Sequence, residues 1–345
     1  YIYINQEGIV KWSGRSSRTF KITNGVRQGA ILSPALFSLY LDRLVINLKR
    51  SGIGCSISGY YYGVLAYADD LIILSPSMFG LSEMLKICEN YGNKFNISFS
   101  VNVKEPKKSK CKGIVFTKNG KVKENGKLYL KGVELPWTSS AKHLGHLLSN
   151  NCSSDNDLIM KKCSFISRCH NLLNEFYYAH PDTKMNLVKI YCLSMYSSPL
   201  WDLYGKEAQK LYNQWNVLVR TIWGVPRETH RNLVESLSST LHLKNLMLIR
   251  FINFAKSLLS HQKESVRFLA NLTIFNTKSV SGKNLKRIKL ETSGNILHSS
   301  KHEIKDSFPN VYTLPQDEKW KPVVIKEISE ILKGHTTLHY TLDDY

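Results

Sequence analysis

The chain has 345 residues, 43% of them hydrophobic, and carries a formal net charge of +20 from 47 Lys and Arg against 27 Asp and Glu. No run of about 18 apolar residues occurs, which excludes a helical membrane span, and this length holds two domains with cores of their own. Seven scattered cysteines with no CxxC pair exclude a disulfide framework and fit a reducing compartment. So basic a chain repels itself unless a polyanion neutralises it, and nucleic acid is the usual partner.

In chain order, the first 30 residues read as strands and loops, with Asn24, Gly25 and Gly29 breaking any helical pattern. The chain opens on Tyr1 without a charged-then-apolar leader, so a truncated start and an intracellular setting are expected. Ser33-Pro34 predicts a helix start, with Ser33 as N-cap and Pro34 at the first helical position; Phe37, Tyr40, Leu41, Leu44 and Leu48 form its apolar stripe. Residues 60–75 predict two strands around the acidic turn Ala68-Asp69-Asp70. A second amphipathic helix carries Leu81, Met84, Leu85, Cys88 and Tyr91, and the alternation Phe95, Ile97, Phe99, Val101 predicts a half-buried strand. Asn119-Gly120 and Asn125-Gly126 mark turns. After Asn151 the pattern turns helical, over residues 158–176, 184–201, 207–223 and 243–260. Residues 276–302, rich in Lys and Ser, read as a linker or tail. The division expected is 1–150, 151–275 and 276–345.

Tyr67-Ala68-Asp69-Asp70 carries the chemistry. Two adjacent carboxylates between apolar strands are costly in an interior, because each is desolvated and the two repel. A divalent cation removes that penalty, and Mg²⁺ takes hard carboxylate oxygens. The bland alternative is a polar hairpin turn. A second pair, Asp343-Asp344, sits in the tail without a following strand. Gly29 permits close backbone approach to a base or sugar, Gln28 both donates and accepts hydrogen bonds, and Arg27 seeks phosphate. A plain helix-entry loop is the other reading. Cys163, Cys169 and His170 lack a second ligand pair for zinc and read as buried thiols. Trp201, Trp215 and Trp223 read as core rather than as base-stacking platforms.

Asn24-Gly25-Val26-Arg27-Gln28-Gly29, followed by Leu32-Ser33-Pro34 and Phe37, resembles motif B of reverse transcriptases, and Tyr67–Asp70 resembles their motif C. Pro106-Lys107-Lys108-Ser109-Lys110 resembles motif D, with Lys108 first choice for the lysine that assists pyrophosphate departure; a solvated lysine loop is the other reading. Ala141-Lys142-His143-Leu144-Gly145 resembles motif E, the primer grip, although His143 and His146 could be ordinary edge residues. Val10-Lys11-Trp12, residues 17–20, Leu135-Pro136-Trp137 and the Ala in Tyr67-Ala68-Asp69-Asp70 resemble non-LTR (LINE-type) retrotransposons.

The resemblance covers residues 10–150 and implies an α/β (α+β) palm of a right-hand polymerase followed by an all-α thumb. It implies RNA-directed DNA polymerase activity with an RNA template, a DNA primer and dNTPs, and two Mg²⁺ ions (or Mn²⁺) held by Asp69 and Asp70. Arg27, Gln28, Gly29, Tyr67 and Ala68 would face nucleotide and template–primer. His143, Leu144 and Gly145 would form the primer grip. Motif A, which carries a further catalytic aspartate, has no candidate in residues 1–23, which contain no Asp; a chain inactive alone is therefore expected. An inactive nucleic-acid-binding relic, an intron-type reverse transcriptase and maturase, and an RNA-directed RNA polymerase are the alternatives.

Overall fold

The computed structural model describes residues 6–23, 25–102, 104–105, 108–118, 120–121, 126–237, 241–292 and 296–297. These divide into two compact units, the first ending at His143 and including Ser149–Cys152, the second comprising Leu144–Leu148 and the chain from Ser153 onward.

The first unit begins with short antiparallel pairs: β1 (Gln6–Gly8) with β4 (Phe20–Ile22), and between them β2 (Lys11–Trp12) with β3 (Arg15–Ser16). Helix α1 (Ser33–Arg50) follows, then β5 (Ser56–Ile57) with β6 (Tyr60–Tyr61), and the acidic hairpin of β7 (Val64–Tyr67) and β8 (Asp70–Ile73). Helix α2 (Met78–Phe95) packs on α1, and β9 (Tyr129–Leu130) with β10 (Val133–Glu134) closes a small hairpin beside α2. The chain leaves the unit through a hairpin of β11 (Ser140–His143) and β12 (His146–Ser149). Among the described residues every sheet is two-stranded, so this mixed α and β region is a set of separate short hairpins flanked by helices.

The core explains this economy. Leu44 and Leu48 on α1 meet Met84, Cys88 and Tyr91 on α2, and Val64, Leu71 and Ile73 of the acidic hairpin pack against them. A second cluster joins Leu85 to Leu128, Leu130 and Leu135. Burial also raises the Cys88 thiol to about 12, so this cysteine packs as an apolar group. Three local expectations need correction. Ser33 is the first residue of α1 rather than its side-chain cap: its hydroxyl donates to the Arg27 carbonyl, 2.5 Å away, and so closes the loop that precedes the helix. Phe95 ends α2, where Asn96 takes a left-handed conformation (φ 54°). Residues 97–101 alternate in burial as expected but form no strand, because their amides and carbonyls meet a turn and a loop rather than a parallel or antiparallel neighbour. Asn119, Asn125 and the tail, with its Asp343-Asp344 pair, lie outside the described residues.

The second unit is helical: α3 (Asp155–Glu175), α4 (Pro181–Leu187) continued by a π-turn over Val188–Cys192, a 3₁₀ turn at Ser198–Leu200, α5 (Lys206–Trp223), α6 (Arg231–Leu237), α7 (Leu243–Leu259), α8 (Glu264–Ile274) and α9 (Val280–Thr292). The single helix expected over 184–201 stops at Cys192, because the chain then bends into the Ser198-Pro199 turn, where proline has no amide to continue a ladder. The linker expected from residue 276 instead holds α9. Its Leu285 and Ile288 join the core, and Asn284, fully buried, donates to the Trp201 carbonyl at 2.8 Å and accepts from the Leu203 amide. Trp201 and Trp215 are core residues, 1% and 0% exposed.

Candidate functional site

The register of β7 and β8 decides which way the acidic turn faces. Val64 opposes Ile73 and Ala66 opposes Leu71 on the side packed against the helices; Leu65 opposes Ile72 and Tyr67 opposes Asp70 on the other side. Side chains alternate with period two along a strand, so the stripe that buries Val64, Leu71 and Ile73 points Tyr67 and Asp70 outward. Tyr67 is 66% exposed, and Asp69 and Asp70 are both exposed. The carboxylates stand in water at the tip of the hairpin, and the apolar strands beneath supply rigidity rather than burial.

A two-residue turn, Ala68-Asp69, links the strands, and Ala68 takes φ 49°. An L-residue in that left-handed region costs roughly 1–2 kcal/mol. The hairpin holds this strain at the position that aims Asp69.

Asp70 has a neighbour that the sequence did not pair with it. The Oδ2 atom lies 4.0 Å from His143 Nδ1, with the imidazole 24% and the carboxylate 54% exposed. Strand β11 thus brings a residue of the segment resembling motif E to the hairpin resembling motif C. The contact spans 73 positions in sequence, and no local pattern announces it.

Ahead of α1, Arg27, Gln28 and Gly29 are exposed in a loop tied to the helix by the amide of Ala30 on the Arg27 carbonyl and by the Ser33 hydroxyl. Gly29 has φ +83°, and a Cβ there would meet nothing within 4 Å. Glycine is therefore required by the backbone conformation, and the space in front of it is open. Asn24 lies outside the described residues. Lys108 is exposed and paired with Glu105 at 2.6 Å, while Pro106 and Lys107 lie outside the described residues.

Leu144 (φ 45°) and Gly145 (φ 74°) form the two-residue turn after β11, both left-handed as a type I′ turn demands. A Cβ on Gly145 would collide with the Tyr196 hydroxyl. Beyond this turn, Asp157 is fully buried at the start of α3. It accepts from the Leu147 amide at 2.9 Å, the Trp201 indole at 2.7 Å and the Ser197 hydroxyl at 3.0 Å, with His146 Nδ1 3.0 Å away. Burial alone would raise its pKa, but His146, Trp201 and the Leu147 amide outweigh that and hold it well below the usual carboxylate range. Sequence reading missed this site, since an Asp in a helix's first turn is ordinarily a surface partner of the dipole.

Carboxylate oxygens at Asp69 and Asp70 suit a hard divalent ion in type. Among the described residues, however, no group of three or more His, Cys, Asp and Glu side chains gathers in a way that could hold a metal. The hairpin thus contributes two donors and not a full two-ion set. No helix among the described residues is long and apolar enough to cross a membrane.

Residues 2–148 match the protein family described as "Reverse transcriptase (RNA-dependent DNA polymerase)". The chain is 36% identical over 104 residues to the retrovirus-related Pol polyprotein from type-2 retrotransposable element R2DM of Drosophila melanogaster, a match covering 28% of the chain and 10% of that relative. It is 37% identical over 95 residues to the Pol polyprotein from type-1 retrotransposable element R2 of Popillia japonica, covering 26% of the chain and 13% of that relative.

Proposed function

We propose, from the reverse transcriptase domain that occupies residues 2–148, that this chain carries the palm and thumb of an RNA-directed DNA polymerase of the non-LTR retrotransposon kind. The observation that carries the reading is the β7–β8 hairpin, which lifts Asp69 and Asp70 out of the core on a fixed, strained turn. Residues 1–150 form the palm portion and the helices after residue 151 the thumb. The substrate set is an RNA template, a DNA primer and dNTPs.

Asp69 and Asp70 would hold the divalent ions, Mg²⁺ or Mn²⁺. When bound, such ions activate an attacking hydroxyl and stabilise the departing oxygen. The protein's own groups do the positioning. Arg27 and Gln28, exposed beside the open space at Gly29, meet phosphate and base. Tyr67, on the same strand face as Asp70, gives a flat surface beside the nucleotide, and Ala68 leaves the tip unobstructed. His143 stands by Asp70, where it orients the carboxylate, and the Leu144-Gly145 turn completes the primer grip. Lys108, held in an exposed pair with Glu105, is the cation for departing pyrophosphate.

A second reading, a nucleic-acid-binding relic without turnover, draws on the two-carboxylate donor set. Primer extension in Mg²⁺ or Mn²⁺, run beside a salt titration of primer–template binding, separates the two. The expected result is binding that weakens steeply with salt, as counterion release requires. Extension by the 345-residue chain should be weak and should be abolished in Asp70→Asn. Extension indifferent to both Asp69→Asn and Asp70→Asn would remove the assigned site. Salt-insensitive binding would remove the nucleic-acid reading.

A further inference from the structure

The turn between α3 and α4 presents aromatic rings to water. Tyr178 is 97% exposed, Tyr177 69%, and on the following π-turn Ile190 and Tyr191 are 69% and 64% exposed. A tyrosine carries a large apolar surface that folding normally covers. These rings are nonetheless held in place. Lys184 of α4 donates to the Tyr177 carbonyl at 2.6 Å and places its ammonium 5.7 Å from the centre of the Tyr177 ring. Tyr178 stands edge-on to Tyr177 with centroids 5.1 Å apart, so its own faces point into solvent. Further along, Lys161 of α3 sits 5.3 Å over Tyr196, which is 59% exposed.

The charges along this stretch are mostly positive. From residue 161 to 196 the sequence holds Lys161, Lys162, Arg168, Lys184 and Lys189 against Glu175 and Asp182, five cations to two anions. A protein-binding patch is expected to be poor in lysine at its centre, which argues against a second polypeptide as occupant. Flat rings interleaved with cations suit a polyanion with free π-faces. A duplex has none to spare, because its bases stack on one another. Unpaired nucleotides do: bases stack on aromatic side chains while cations follow the backbone.

We propose that Tyr177, Tyr178 and Tyr191, with Lys184, form a docking surface for single-stranded RNA on the helical unit. The proposal rests on the nucleic-acid reading of the chain and deepens it by naming the unpaired form as the ligand of the helical unit. The surface tolerates any base, since every base has a face to stack. Its aromatic share is insensitive to salt, whereas its lysine share is not.

The test uses the whole 345-residue chain, a fluorescently labelled oligouridylate and an RNA–DNA duplex of equal length. Tyr178→Ala is expected to weaken oligouridylate binding about tenfold, in the range that stacking on one ring provides, and to leave duplex binding within about twofold. Tyr178→Trp should retain it. Tyr178 is so exposed that neither change disturbs the core. The salt slope for oligouridylate should stay the same in Tyr178→Ala and fall in Lys184→Gln. Equal oligouridylate affinity in wild type and Tyr178→Ala overturns the proposal while the duplex result leaves the polymerase reading in place. A shift in sedimentation of Tyr178→Ala with unchanged oligouridylate binding overturns it in favour of a contact between protein copies. A chain that binds neither probe overturns both readings.

Discussion

His242 caps α7, where its ring accepts from the Lys244 amide at 3.2 Å, and it is 4% exposed. Burial is the main reason that its pKa falls to about 3, and the nearby Arg231 and Lys244 charges push it the same way. The unfolded chain binds a proton here near pH 6.5 and the folded chain only near 3. Stability from this residue is therefore complete above about 6.5 and is lost as pH falls through the interval between the two values. His242→Asn keeps a capping acceptor and has nothing to titrate. Its denaturation midpoint should hold steady from pH 7 to pH 4, while that of the wild type falls. Equal acid sensitivity in both proteins would place the titrating group elsewhere. Asp157 acts in the same sense but lower on the scale, since its depressed pKa makes its contribution disappear only as pH drops below the ordinary carboxylate range.

Among elements, the acidic hairpin and α9 show what strain and burial each contribute. Replacing Ala68 with Gly removes the left-handed penalty at φ 49°, offset in part by the greater freedom of glycine in the unfolded chain. A gain of about 1 kcal/mol is expected, read as a higher urea midpoint at unchanged slope. Asn284 makes the opposite case. Asn284→Ala leaves the Trp201 carbonyl and the Leu203 amide without their partner in a buried place, at a cost of about 1–3 kcal/mol. Amide exchange along α9 should accelerate in that variant. If α9 were peripheral, neither quantity would move. The helix escaped the sequence reading because its apolar positions, Leu285 and Ile288, are few among Lys and Ser, and because its polar Asn284 is the residue that docks it. By contrast, the Leu44, Leu48 and Met84, Cys88, Tyr91 stripes were legible, since a 3.6-residue period survives any tertiary context. The acidic hairpin was legible for the same reason at period two. What could not be read was whether its carboxylates face the core: register fixes that, and register needs the partner strand. The Asp70–His143 approach and the Asp157 network are contacts between distant segments and leave no local trace.

For the whole molecule, the inventory of buried side chains is lopsided. Among the described residues, the hairpin-bearing unit rests on clusters of five and four buried side chains, while the helical unit has one of thirty. Marginal stability is a small difference between large terms, so a body with so little interior has less reserve against heat. Calorimetry should resolve two endotherms, the smaller first; one sharp peak would mean that the halves melt cooperatively. Choice of reporter then decides what an experimenter believes. Trp201 and Trp215, sealed in the larger interior, report that unit through their indole emission, whereas in the smaller one Trp12 is 80% exposed and already senses water and Trp137 packs against the Leu128 cluster. The signal of Trp201 and Trp215 alone would call the protein intact at temperatures where the turn holding Asp69 has already come apart, and only a change at Trp137 would tell a loss of turnover by unfolding of that unit from chemical inactivation.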